Sequence, residues 1–120
     1  MKNNNPKYDE LLTRQGFKEY ALGLRAGKCC IPGCTEDMVD AHHIVDRKLF
    51  SNGGYYPSNC APVCSHHHIE CENGTIRPDQ LIKWLGIPYD GIVKPDKVEW
   101  VTDEQYRELI IEGFIDKWGN

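Results

Sequence analysis

The sequence predicts an α+β fold in which a central ββα unit is flanked by N-terminal and C-terminal helices. Two observations support this prediction. All six cysteines and all five histidines fall between Cys29 and Cys71, and the apolar pattern there changes from short strands to a short helix. We expect residues 1–28 to form an N-terminal arm and helix, 29–76 the core, and 77–120 a C-terminal helical extension.

The N-terminal segment is predicted to form a helix from Lys7 to about Arg25. Its apolar residues follow a helical spacing: Leu11, Leu12, Phe17, Tyr20, Ala21 and Leu24. Pro6 suits a first helical position, and Gly27 is expected to end the helix.

The core is predicted to contain four segments in order: a strand over Met38–Val45, a loop over 46–58, a strand over Cys60–Val63 and a helix over Ser65–Glu72. Glycines and a proline are expected to keep the loop free of regular structure. This order of strand, loop, strand and helix is a ββα unit.

Two further helices are predicted beyond the core. Pro78 opens the first, which Gly86 stops after Leu85. A capping-box pattern from Thr102 to Gln105 opens the second. One face of this helix carries four apolar residues: Tyr106, Leu109, Ile110 and Phe114. We interpret the flanking helices as packing elements.

Composition limits the classes of protein to consider. The net charge of −4 argues against generic adhesion to nucleic acid, although residues 1–28 carry six Lys and Arg against three Asp and Glu. No stretch approaches the ~20 apolar residues that a membrane span needs, and the polar N-terminus lacks a signal-peptide core. We therefore expect a cytoplasmic protein without a membrane segment. In that reducing location, clustered cysteines indicate metal ligands rather than disulfides.

Two short-spaced pairs of cysteine and histidine predict a structural zinc site, because tetrahedral zinc takes four such ligands from distant chain segments. The predicted ligands are Cys29, Cys34, Cys64 and His67. Cys30 competes with Cys29, although the wider turn from Cys29 better accommodates the proline inside it. His66 competes with His67. Two cysteines are surplus: Cys60, expected in the core, and Cys71, a reserve ligand.

A second site is predicted around the adjacent histidines His42 and His43. They lie on a predicted strand, so their side chains point to opposite faces, or splay apart if the strand bends. His68 begins the next helix, and Glu72 lies four residues on along the same helical face. We expect His42 and His68 to hold one divalent ion with positions open for phosphate and water. Glu72 is a candidate third ligand, with an exposed helix carboxylate as the alternative. His43 is then left as a general base, because a neutral imidazole can deprotonate water near pH 7.

Further polar and aromatic residues surround this predicted site. Asn59 is expected to hold the loop that orients the base through its side-chain amide. Arg47 and Lys48 are candidate phosphate contacts, with a solvated loop pair as the alternative. Tyr55 and Tyr56 could stack on bases, but packing over the ββα unit is the favoured interpretation.

Three motifs follow one another in the core: Cys29-x-x-Pro32-Gly33-Cys34, then Asp40-Ala41-His42-His43-Ile44-Val45 with Asn59 after it, then Cys64-x-x-His67-His68. In this combination residues 29–74 resemble the zinc-bearing form of the His-Asn-His (HNH) endonuclease family. The resemblance implies a ββα-metal fold and hydrolysis of DNA phosphodiester bonds that leaves a 5′-phosphate.

The resemblance also implies roles for single residues. His42 and His68 match metal ligands. His43 matches the base that activates water, and Asn59 matches the residue that constrains its loop. Glu72 stands where some members have a third metal-binding histidine, which leaves the third ligand open. The preferred metal also stays open among Mg²⁺, Mn²⁺ and other transition metals.

The sequence therefore predicts a metal-dependent DNA endonuclease. The alternative is a non-catalytic zinc module that binds nucleic acid or protein. Such a module needs only four ligands and has no use for His42, His43 and His68. DNA is the expected partner, and a targeting or packaging protein is expected to add specificity, because no long basic recognition helix is visible. Small nucleases of this kind often resemble proteins of phages or mobile elements, so the expected cytoplasmic location includes that of a phage-infected cell.

Overall fold

The computed structural model describes residues 11–113, which contain four α-helices and a two-stranded antiparallel sheet. The predicted α+β class is confirmed. The elements in chain order are α1 (Arg14–Leu24), β1 (Asp40–His43), β2 (Cys60–Val63), α2 (Ser65–Glu72), α3 (Pro78–Leu85) and α4 (Asp103–Ile111). Short 3-10 turns cover Arg47–Leu49, Pro57–Asn59 and Tyr89–Gly91. Within the described range, no helix has the length and apolar character that crossing a membrane requires.

The sheet and α2 form the centre of the fold. β1 and β2 pair in antiparallel register, with His43 opposite Cys60. All residues of β2 are buried, and α2 contacts both strands. Only Cys64 separates β2 from α2, and its Sγ caps the helix by accepting the backbone N–H of His67 at 3.4 Å. The predicted bounds of β2 and α2 are confirmed.

The N-terminal helix is shorter than predicted. It begins at Arg14, where the Thr13 side chain caps it. The prediction is wrong at Leu11 and Leu12, because the backbone N–H of Leu12 donates to the carbonyl of Tyr55 at 2.8 Å and joins the chain to the loop. The earlier part of the predicted helix lies outside the described residues.

The first strand is also shorter than the predicted Met38–Val45. Val45 leaves the sheet because the Asn59 side chain binds both of its backbone groups: Oδ1 accepts the N–H at 2.7 Å, and Nδ2 donates to the carbonyl at 3.1 Å. The predicted loop over 46–58 contains one 3-10 turn, Arg47–Leu49, and the start of a second, Pro57–Asn59. Pro57 begins one of them instead of blocking it, since its fixed φ suits a first helical position.

Helices α3 and α4 pack against the main hydrophobic core. The predicted bounds of α3 are confirmed, and Gly86 ends it with a φ of 67°, a conformation that favours glycine. The predicted capping box is confirmed at the start of α4, where Thr102 and Gln105 bond reciprocally. On the predicted apolar face of α4, Tyr106 and Ile110 are fully buried, and Leu109 is partly buried. The fourth residue of that face, Phe114, lies outside the described range.

Candidate metal centres and the adjoining cleft

Three cysteines and one histidine converge at the start of α2. The ligand atoms of Cys29, Cys34, Cys64 and His67 all lie within 4.8 Å of one another. The Sγ atoms of Cys29 and Cys64 lie 3.5 and 3.3 Å from Nδ1 of His67. The Sγ atoms of Cys34 and Cys64 lie 4.0 Å apart. This cluster could hold a structural metal such as zinc.

The distances in this cluster fit tetrahedral zinc. Bonds of about 2.3 Å to sulfur and about 2.0–2.1 Å to nitrogen put two sulfurs ~3.8 Å apart and sulfur ~3.5 Å from nitrogen, close to the observed separations. Although burial opposes it, hydrogen bonds from the His67 backbone and from the thiols of Cys29 and Cys34 lower the pKa of the Cys64 thiol. A lowered pKa favours the thiolate, which is the form that binds metal, whereas burial raises the pKa of the Cys29 thiol in the same cluster to about 11.

A tight turn before Cys34 brings the first ligand pair together. The backbone N–H of Cys34 donates to the carbonyl of Ile31 at 2.9 Å. Gly33 adopts a φ of 83°, which a residue with a Cβ rarely takes. A bridge between Lys28 and Asp37 closes the base of the turn. The chain therefore reverses within a few residues and keeps both sulfurs on one side.

The alternative ligands lie elsewhere. Cys30 and Cys71 are buried in the main core, and Cys60 is buried in a smaller cluster beside α1. His66 is exposed and faces Glu70, whose Oε2 lies 3.5 Å from its Nε2. His66 also forms a group of three possible ligands with His67 and Glu70, within 4.8 Å of one another, but the favoured set is the one in which the fold brings four ligands together.

His42, His68 and Glu72 form a second cluster, and their ligand atoms also lie within 4.8 Å of one another. Glu72 Oε2 lies 3.5 Å from His42 Nδ1 and 3.4 Å from His68 Nε2. Both distances exceed the ~2.7–3.2 Å of ordinary N–H···O hydrogen bonds. They match the ~3.4 Å between two ligands that bind one tetrahedral ion at ~2.1 Å. The donor set therefore fits a divalent ion.

Asp40 lies beside this second cluster, although no role was predicted for it from the sequence. Its Oδ2 lies 3.6 Å from Nδ1 of His68, the ring nitrogen that faces away from Glu72. Carboxylates that form a hydrogen bond with a metal-binding histidine orient its ring, but this contact is longer than a hydrogen bond. No local pattern could reveal the contact, because it joins the start of β1 to α2.

His43 contacts α1 rather than α2. Its ring stacks on Phe17 with centroids 4.5 Å apart, and Tyr55 meets it edge-on at 5.1 Å. Burial first, and the charge of Arg47 second, lower the pKa of His43 from 6.5 to about 4, against the opposing effect of a hydrogen bond with the Gly53 backbone. The imidazole is therefore neutral at pH 7. Its Nε2 atom is buried and has no hydrogen-bond partner among the described residues.

Asn59 connects the two chain segments that flank His43. The side chain is only 3% exposed. It accepts the N–H of Val45 at 2.7 Å and donates to the carbonyls of Val45 and Gly54, both at 3.1 Å. Val45 follows His43 by two residues. Gly54 follows Gly53, whose backbone forms a hydrogen bond with the imidazole of His43. Asn59 thus joins the backbone after His43 to the loop that contains Gly53 and Gly54.

We expect Asn59→Ala to lower the free energy of unfolding by about 1–3 kcal/mol, because it leaves buried backbone groups without a partner. Asn73→Ala is the control, since Asn73 is exposed and its Oδ1 accepts the N–H of Thr75. We expect the control to lose no more than ~0.5 kcal/mol. Urea unfolding of the zinc-loaded proteins measures both effects. Equal small losses would show that Asn59 does not stabilise this segment.

The second cluster and His43 border one cleft of about 760 Å³. Arg47 and Lys48, the candidate phosphate contacts, line it as well. Four residues of α1 also line the cleft: Arg14, Gln15, Phe17 and Lys18. From the sequence, α1 is expected to be a packing element, and the basic residues of the N-terminal segment are expected to face either phosphate or solvent. The place of α1 beside the cleft depends on contacts between residues distant in the chain, which periodicity cannot reveal.

Comparison of the chain with protein-family models, with curated proteins and with solved structures gives no match.

Proposed function

We propose that this chain is a metal-dependent DNA endonuclease whose centre is a ββα-metal unit of the HNH kind. One observation carries the proposal. A three-ligand cluster and a neutral histidine border the same cleft, separate from the Cys₃His cluster. A zinc scaffold by itself needs only four ligands. The additional cluster, cleft and histidine are the parts that hydrolysis of a phosphodiester requires.

His42, His68 and Glu72 would hold the catalytic ion, which we propose to be Mg²⁺, Mn²⁺ or another transition metal. Three protein ligands with open positions are typical of catalytic sites, whereas four closed ligands are typical of structural zinc. When bound, such an ion stabilises the negative charge that develops on the phosphate and the leaving oxygen.

His43 would accept the proton of the attacking water. Its depressed pKa keeps the imidazole neutral at pH 7, and stacking on Phe17 restricts the ring. The buried Nε2 has no hydrogen-bond partner in the described range. A buried nitrogen without a partner destabilises the fold, and a hydrogen bond with a water molecule would offset this loss. A turn of the ring or a small shift of α1 is needed to bring water to this atom.

Arg47 and Lys48 would contact the phosphates of DNA. Both line the cleft, and neither forms an ion pair with a carboxylate within residues 11–113. Since the whole chain has a net charge of −4, affinity would depend on this local charge and on the bound ion. We propose that a targeting or packaging protein supplies specificity. The free cysteines suit a reducing cytoplasm, such as that of a phage-infected cell.

Cleavage of supercoiled plasmid by the purified full chain tests this function. We expect nicking with Mg²⁺ or Mn²⁺, no nicking with a chelator, and 5′-phosphate ends at each nick. A folded, zinc-loaded protein that leaves the plasmid intact with every divalent ion would refute the proposal.

We expect His42→Ala and His68→Ala to raise the metal concentration for half-maximal cleavage by at least about tenfold, with partial rescue at high metal. Zinc content should stay at the wild-type value, because neither residue belongs to the Cys₃His cluster. His66→Ala removes an exposed histidine outside the cleft and should change neither quantity. If His42→Ala or His68→Ala unfolds the protein or releases its zinc, the division into two metal sites is wrong.

The alternative function is a non-catalytic zinc module that binds nucleic acid or protein. The buried position of His43 Nε2 favours it, because a general base must reach the proton that it removes. A module of this kind would bind its partner without metal-dependent cleavage, and its binding would not depend on His42 or His68.

A further inference from the structure

Helix α1 carries two basic residues on the face that borders the cleft. Arg14 and Lys18 lie one turn apart, a spacing that puts both side chains on the same side of a helix. Phe17 lies between them in the sequence, and all three residues line the cleft. The catalytic steps proposed above use neither Arg14 nor Lys18.

Phe17 holds this face of α1 against the base. It is 2% exposed and stacks on His43 at 4.5 Å. One turn further along, Ala21 is fully buried in the same small hydrophobic cluster. Because Arg14 and Lys18 flank Phe17, the packing of Phe17 on His43 keeps both basic side chains beside His43 and the second metal cluster.

The basic residues of the cleft come from two separate elements. They are Arg14 and Lys18 from α1, and Arg47 and Lys48 from the 3-10 turn after β1. None of the four forms an ion pair with a carboxylate in the described part of the chain. The carboxylates of the cleft have other contacts. Asp40 and Glu72 face the candidate ligand histidines, and Asp46 accepts the backbone N–H of Lys48.

We propose that Arg14 and Lys18 bind phosphates of the DNA strand that is cut, together with Arg47 and Lys48. This inference rests on the proposed endonuclease function. The strand would contact both α1 and the 3-10 turn, with its scissile phosphate at the second cluster. Contacts of this class recognise the backbone and carry no base information directly, so the cleft by itself would cut with low sequence specificity.

Kinetics of the full chain, saturated with zinc and Mg²⁺, test the proposal with a duplex oligonucleotide at several salt concentrations. We expect Arg14→Ala and Lys18→Ala each to raise KM about three- to tenfold and to keep kcat within about twofold. The slope of log KM against log salt should become shallower by about one for each phosphate that the variant no longer binds. Alanine favours a helix, so helicity and zinc content should not change. Glutamine at either position is the second variant if alanine lowers zinc content.

Lys83→Ala is the matched control, because it removes the same charge from α3, outside the cleft. It should leave KM and the salt slope unchanged. Wild-type values in both α1 variants, or an equal change in Lys83→Ala, would overturn the inference and leave the endonuclease proposal standing.

Binding separates the two proposals if the wild type does not cleave. Fluorescence anisotropy with the same duplex then measures affinity. Weaker binding by the α1 variants, but not by Lys83→Ala, would support the phosphate contacts while the endonuclease proposal fails. Equal affinity of all variants, or no binding by the wild type, would reject both.

Discussion

Replacing His43 with alanine should slow DNA cleavage about 10²–10⁴-fold, the usual contribution of a general base. The imidazole lies beside the second metal cluster and is neutral at pH 7, but it belongs to neither candidate ligand set. Zinc content and DNA affinity should therefore stay at wild-type values. Single-turnover cleavage at saturating metal measures the effect, with a mock purification to exclude contaminating nucleases.

A second variant separates the loss of chemistry from the loss of packing. His43 lies between Phe17 and Tyr55, so alanine also removes two ring contacts. His43→Phe keeps an aromatic ring there but cannot accept a proton, and it should be as slow as His43→Ala. Near-wild-type cleavage by either variant would rule out the proposed base and make the non-catalytic zinc module the leading interpretation.

The pH dependence of cleavage provides an independent check. A protonated imidazole cannot accept a proton, so the rate should fall as pH drops through the pKa of His43. Burial first, and Arg47 second, lower this pKa from 6.5 to about 4, so the decline should lie at a lower pH than for a free imidazole. With metal saturating at each pH, His43→Ala should lose this acidic limb. An unchanged limb in the variant would assign the titration to another group.

Cys34→Ala or Cys64→Ala should lose the zinc and leave the chain insoluble or without fixed tertiary packing. Structural zinc contributes ~10–16 kcal/mol of apparent binding free energy in small zinc domains. This is as large as the ~5–15 kcal/mol net stability of an ordinary domain. The ligands join the turn before Cys34 to the start of α2, so the loss of the metal would release this connection. Metal analysis and near-ultraviolet circular dichroism measure the loss.

Cys71→Ala is the control for this prediction. Cys71 is fully buried in the main core and lies outside the Cys₃His cluster. The variant should keep its zinc and lose about 1 kcal/mol of stability, as a typical core substitution does. Less than one tightly bound zinc per wild-type chain, or loss of zinc from Cys71→Ala, would contradict the proposed structural site.

Local signals in the sequence predicted much of the secondary structure. The capping box at Thr102, the left-handed stop at Gly86 and the apolar run over Cys60–Val63 each depend on a few neighbouring residues. The bounds of β2, α2 and α3 are therefore confirmed. The spacing of cysteine and histidine likewise indicated the four residues that form the Cys₃His cluster, because short-spaced ligand pairs are a local pattern.

Tertiary structure decided the features that depend on contacts between distant residues. The Asn59 side chain ends β1 early by binding Val45. The carbonyl of Tyr55 accepts the N–H of Leu12, so Leu12 does not join α1. Phe17 meets His43, and Asp40 meets His68, only because the sheet brings α1 and α2 to β1. Periodicity describes which face of an element is apolar, but not which residues of another element that face will meet. The spacing of cysteine and histidine in the sequence therefore determined the candidate ligands, whereas packing determined which of them converge and what surrounds them.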